Sequence, residues 1–95
     1  MRQGNLTVTN SAQAMSALWT TAPQSSDYVQ ICNPSATASI AFTIDGSSPV
    51  VNGNGITIAP LGSETFDHPA GVGFPVGALK LISSVASQSV TILLN

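Results

Sequence analysis

The chain has 95 residues but only two basic and four acidic side chains, for a net charge of −2. Charged residues make up 6% of the sequence, against roughly 25% in an ordinary soluble domain, so thirteen Ser, nine Thr and the Asn and Gln beside them must supply the polar exterior. With Arg2 and Lys80 as the only cations and Cys32 as the only cysteine, the chain lacks the basic cluster that phosphates or anionic membranes require, and can form neither an intrachain disulfide nor a Cys-based zinc site.

From the start of the chain, Leu6 and Val8 alternate with Thr7 and Thr9, which places two apolar side chains on one face of a first strand. The residues before them contain no apolar h-region, so secretion by the usual route is not expected, and no run of apolar residues approaches the length of a membrane span. Ser11 to Trp19 is ambiguous: Ala12, Ala14, Met15, Ala17 and Leu18 fit a helical turn or a strand. A strand is favoured, because the neighbouring segments are strands and Thr20 to Ser26 offers no capping box.

Val29 and Ile31 form the next strand, and Asn33-Pro34-Ser35 turns the chain, since Pro34 cannot donate to a ladder. Cys32, at the end of this strand, reads as a small buried thiol rather than a reactive one. Ala38, Ile40, Phe42 and Ile44 give the clearest period of two in the sequence, and Asp45-Gly46-Ser47-Ser48-Pro49 ends it. Val50 and Val51 extend briefly before Asn52-Gly53-Asn54-Gly55, a doubled turn signal that predicts a hairpin or loop tip.

Ile56 and Ile58 make a short strand stopping at Pro60, and Leu61-Gly62-Ser63 turns into Glu64-Thr65-Phe66-Asp67. His68 to Gly77 is crowded with Gly and Pro and predicts a loop. Leu79, Leu81 and Ile82 form the penultimate strand; Val90, Ile92 and Leu94 form the last, with Ser87-Gln88-Ser89 bridging them. Seven or eight short antiparallel strands predict an all-β fold: a single compact β-sandwich, jelly-roll-like or Ig-like, or a small barrel. One domain spans 1–95, with 28–95 as its core and 1–27 as an N-terminal arm or further strands.

No catalytic constellation emerges. Asp67 and His68 are adjacent, so on a strand they point to opposite faces, and no G-x-S-x-G elbow accompanies them. Glu64 and Asp67, three apart on one strand, likewise fall on opposite faces rather than flanking a glycosidic bond. Gly71-Val72-Gly73-Phe74-Pro75-Val76-Gly77 lacks the spacing and the lysine of a phosphate-binding loop. The chain therefore reads as a non-enzyme with no catalytic residues, no cofactor and no metal ligands. Phe42 and Phe66 read as core by alternation. Trp19, Tyr28 and Phe74 are the aromatic candidates for contact with a partner.

From about Tyr28 to Leu94 the order of elements resembles the small β-sandwich virion proteins of tailed bacteriophages and prophages. The shared features are a strand running into Asn33-Pro34-Ser35, then Ile40-Ala41-Phe42 with Gly46. A Pro60-Leu61-Gly62-Ser63 turn before Phe66 follows, and Leu79-Lys80-Leu81-Ile82-Ser83 leads to Val90-Thr91-Ile92-Leu93. The resemblance implies a structural role, capsid decoration or cement above all, in which the chain binds the major capsid protein or other virion proteins. It further implies a homo-oligomer, a trimer foremost, located in the virion and assembled in the host bacterial cytoplasm. A fibre- or tail-associated module that binds a host glycan or receptor is the alternative. Neither nucleic acid nor membrane is expected as a partner.

Overall fold

A computed structural model describes residues 2–67 and 73–95. Its strands are β1 (Arg2–Val8), β2 (Gln13–Ala14), β3 (Tyr28–Cys32), β4 (Ile40–Thr43), β5 (Ile56–Ile58), β6 (Ser63–Asp67), β7 (Lys80–Ser83) and β8 (Gln88–Leu94), with one helical turn, α1 (Met15–Leu18). They form two four-stranded sheets, ordered β1-β8-β3-β6 and β2-β7-β4-β5. Every pairing is antiparallel.

The order of the strands identifies the topology. β1 pairs with β8, β2 with β7, β3 with β6 and β4 with β5. These pairs nest inside one another, as in a single long hairpin whose tip is the 44–55 connection. Rolling that hairpin sends successive pairs alternately to the two sheets, which is the eight-stranded jelly roll. The all-β sandwich read from the sequence is thus the fold, in its jelly-roll form.

Alternation builds the interior. Gly4, Leu6 and Val8 of β1 face inward while Gln3, Asn5 and Thr7 face out. Val29 and Ile31 of β3 and Val90, Ile92 and Leu94 of β8 continue the same inner layer. Ile40, Phe42, Ile58 and Leu81 supply the opposing sheet's contribution to one continuous core. Phe66 reaches its margin as a half-buried side chain, edge-on to Phe42 with ring centroids 6.0 Å apart.

Three expectations change. The Ser11–Trp19 segment, favoured above as a strand, is a two-residue strand followed by the α1 turn. The turn lacks a side-chain cap and is anchored by its surroundings: Met15 N–H donates to Leu79 O at 2.9 Å, and Trp19 N–H closes the turn on Met15 O at 2.8 Å. Met15, Leu18 and Trp19 then share the face that meets the core, so tertiary contact decides a segment whose local pattern was neutral.

β4 also ends at Thr43, leaving Ile44 43% exposed. Reversal begins there because the Thr43 hydroxyl donates to Ser47 O at 2.6 Å and Ser47 N–H donates to the Asp45 carboxylate at 3.0 Å. Val50 and Val51 form no strand; Val50 N–H donates to Asn54 O, and Gly53 N–H donates back to Val50 O. In the expected 68–77 loop, His68, Pro69 and Gly71 lie outside the described residues. Its remainder is ordered by a bridge between Ser26 and Phe74 and a 3-10 turn at Val76–Ala78.

Candidate functional site

The three aromatic residues singled out in the sequence are dispersed. Trp19 is half-buried against the core, its ring lying over Gly4, with the Arg2 guanidinium 5.3 Å from the ring centroid. Arg2 is fixed there by donating from Nη2 to Thr21 O at 2.9 Å. The indole therefore closes one end of the sandwich. Phe74, named above as a candidate for contact with a partner, is 1% exposed and packs at 4.6 Å on Phe66. Only Tyr28 lies on an open sheet face, half-buried and directly opposite Asp67.

That face is the outer side of β1-β8-β3-β6. Its rows follow from the register: Gln3, Leu93, Gln30 and Thr65 lie across the sheet in one row, and Asn5, Thr91, Cys32 and Ser63 in the next. Cys32, expected to be buried, is half-buried on this outer face because the inward positions of β3 fall to Val29 and Ile31. Thr7 and Ser89 extend it at one end, Tyr28 and Asp67 at the other. Of all these side chains Asp67 alone is charged. Asn5 organises part of the surface, its carboxamide oxygen accepting from Gln3 Nε2 at 3.3 Å and from the Thr91 hydroxyl at 3.2 Å.

The opposite sheet differs. Ala41 and Thr43 point outward from β4 yet are buried, at 0% and 5% exposure. The 44–55 connection folds back on that side: besides the bond from Thr43 to Ser47, Asn52 N–H donates to the Thr57 hydroxyl at 2.9 Å. At the rim of this connection Ile44, Val50 and Ile56 are exposed apolar side chains. A shallow hollow of 160 Å³ lies there, with Phe42, Ile44 and Ile56 against Asp45, Ser47 and Asn54.

No family model, curated protein or solved structure matches the chain. Chemistry must therefore be read from the surfaces themselves. Among the described residues no group of three His, Cys, Asp or Glu side chains is placed to hold a metal ion. The Asp45 carboxyl is held below the usual carboxylate range, first by the Ser47 hydroxyl and then by the Ser47 backbone N–H. Both bonds serve the turn.

A neutral face has a definite physical consequence. Covering a hydroxyl or amide that finds a hydrogen-bond partner costs far less than covering an ion, which must lose its hydration shell. The outer side of β1-β8-β3-β6 is thus the strand-built surface that another macromolecule covers most cheaply. Sequence reasoning pointed to aromatic residues instead. The usable signal was the polar half of the same alternation, Gln3-Asn5-Thr7 and Gln30-Cys32, where lysines and glutamates commonly protect an edge or face.

Proposed function

We propose that this chain is a non-enzymatic structural subunit that caps the surface of a larger protein assembly, as a capsid decoration protein on a bacteriophage head. The outer face of β1-β8-β3-β6 is its docking surface, and the major capsid protein or another virion protein is the partner. The carrying observation is the near absence of charge on that face, with Asp67 the exception. The jelly roll suits this role, being an architecture common among viral capsid and lectin domains, and so does the resemblance to tailed-phage virion proteins. Assembly as a homo-oligomer, foremost a trimer, in the host cytoplasm before incorporation into the virion belongs to the same proposal.

The test adds purified chain to particles that lack it and measures co-sedimentation. Wild-type protein is expected to bind to saturation, and a Gln30→Lys/Thr65→Lys variant, whose changes lie side by side on the outer face, to lose at least tenfold in affinity. Equal binding by both would move the docking surface elsewhere. Failure of the wild type to bind at any concentration would end the decoration reading.

A glycan-binding role in a fibre or tail is the second reading. It is favoured by the placement of Tyr28 opposite Asp67 with Gln30 and Thr65 beside them, an aromatic, a carboxylate and two neutral hydrogen-bonding groups on one outward surface. Binding of an oligosaccharide array, abolished by Tyr28→Ala, is the expected result, and an array with no signal removes this reading.

A further inference from the structure

The tip of the long hairpin contains two Asn-Gly pairs, Asn52-Gly53 and Asn54-Gly55. Asn-Gly is the dipeptide in which a carboxamide is most open to attack by the following backbone nitrogen, because glycine has no side chain to obstruct the approach. In an unfolded chain the two pairs are chemically equivalent. The fold makes them unequal, and we infer that Asn52 is a site of spontaneous deamidation whereas Asn54 is protected.

The difference lies in how each carboxamide is held. Asn54 Nδ2 donates to the Ser47 hydroxyl and to Ser48 O, both at 2.9 Å. Its backbone is fixed as well, since Asn54 O accepts from Val50 N–H at 2.9 Å. Ser47 is itself braced on the Asp45 carboxylate. Swinging the Asn54 Cγ toward Gly55 N requires both side-chain bonds to break.

Asn52 is exposed, and among the described residues its carboxamide makes no hydrogen bond. Only its backbone N–H is engaged, on the Thr57 hydroxyl. Asn52 already sits in the left-handed region, at φ 59°. One backbone bond, from Gly53 N–H to Val50 O at 2.8 Å, holds the attacking nitrogen, and it lies at an exposed turn where local opening is cheap.

The chemistry needs only water. Gly53 N loses its proton and bonds to the Asn52 Cγ; the carboxamide C–N bond breaks and its nitrogen leaves as ammonia. Water then opens the resulting succinimide at either carbonyl, giving aspartate or isoaspartate. The product adds one negative charge to a chain that carries six charged side chains in all, beside the exposed apolar residue Val50. An isoaspartate also lengthens the backbone in the turn that rests on Thr57.

The test ages the intact chain in warm, mildly alkaline buffer and locates the modification by peptide mass spectrometry with fragmentation that separates isoaspartate from aspartate. Conversion at Asn52 is expected to run severalfold faster than at Asn54. In concentrated denaturant the two rates should converge, and Ser47→Ala, which removes one of the two bonds on the Asn54 carboxamide, should accelerate Asn54 while leaving Asn52 unchanged. Conversion of Asn54 first, or at the same rate as Asn52 in the native wild-type chain, would overturn the assignment. The wild-type comparison needs no variant to fold and no binding partner, so it stands apart from the docking proposal.

Discussion

Asn33 and Gln88, 55 residues apart in the chain, meet in the interior, where the Gln88 carboxamide donates to the Asn33 carboxamide oxygen. Asn33 returns the contact elsewhere: its Nδ2 faces Ala38 O at 2.9 Å, Ala59 O at 3.1 Å and Ile58 O at 3.3 Å. Gln88 in turn accepts from the Ser83 hydroxyl at 2.7 Å. One pair of side chains thus joins the turn after β3, the turn after β5 and the β7–β8 connection.

Replacing Asn33 by Ala strands these partners. The site is 2% exposed, so water cannot take over, and each buried polar group left unpaired costs about 1–3 kcal/mol. With the Gln88 amide and several backbone carbonyls affected, Asn33→Ala is expected to lower unfolding free energy by roughly 3 kcal/mol. Urea denaturation followed by circular dichroism measures it. A loss under about 0.5 kcal/mol would mean that this network holds nothing together.

Gly4 and Trp19 make a second long-range fit. A Cβ built on Gly4 would lie 2.6 Å from two indole carbons, so Gly4→Ala must displace the ring and with it the Arg2 cation–π contact. The expected cost is roughly 1–3 kcal/mol, typical of overpacking. Trp19, the only tryptophan, should report its displacement as a red-shifted emission. Combining Gly4→Ala with Trp19→Leu should cost less than the sum of the two single changes, because the smaller side chain removes the clash. Strict additivity would show that the two positions are independent.

The turn at Asp45 should titrate. Its folded-state pKa is depressed, chiefly by the Ser47 hydroxyl and then by the Ser47 backbone N–H, while the unfolded chain keeps the ordinary carboxylate value. Stability from this turn is therefore fully present above the ordinary carboxylate pKa and is lost as pH falls through the depressed folded value. Asp45→Asn keeps an acceptor oxygen but cannot ionise. Urea midpoints of wild type and Asp45→Asn should differ at neutral pH and converge in acid; a gap that stays constant with pH would show that the charge plays no part.

Much of the fold was legible because strands write their inner face at every second position. Leu6 and Val8, Val29 and Ile31, Ile40 and Phe42, and Val90, Ile92 and Leu94 all point inward as their alternation requires. The pairing was not legible: β1 lies beside β8, and the Thr91 hydroxyl bonds Asn5 across 86 residues, a partnership that leaves no local mark. Phe74 misled for a related reason. Its glycine- and proline-rich surroundings resemble a solvent loop, yet Ser26 N–H donates to Phe74 O at 3.1 Å and pins the ring to the core. Gly4 was an available clue to Trp19, since a glycine interrupting an alternating strand marks a close approach. The neutral outer face of β1-β8-β3-β6 was present in the polar half of each strand, but only the register shows that those residues form adjoining rows.

Leu61 is the position where a substitution should stabilise the chain. It is 72% exposed and sits at φ 62°, a left-handed conformation that crowds its Cβ and costs a non-glycine residue about 1–2 kcal/mol. Little offsets that strain, because the side chain points to solvent while the backbone makes the useful contact: Leu61 N–H donates to Ser35 O at 2.9 Å. Asn tolerates this region better through its short polar side chain, and it retains the N–H. Leu61→Asn is expected to raise stability by about 0.5–1 kcal/mol, a rise of several degrees in Tm for a domain of this size. Leu61→Pro should do the reverse, since its ring fixes a negative φ and removes the donor to Ser35. Differential scanning calorimetry of the two variants decides the matter. A lower Tm for Leu61→Asn would mean that the exposed leucine makes a contact worth more than its strained backbone costs.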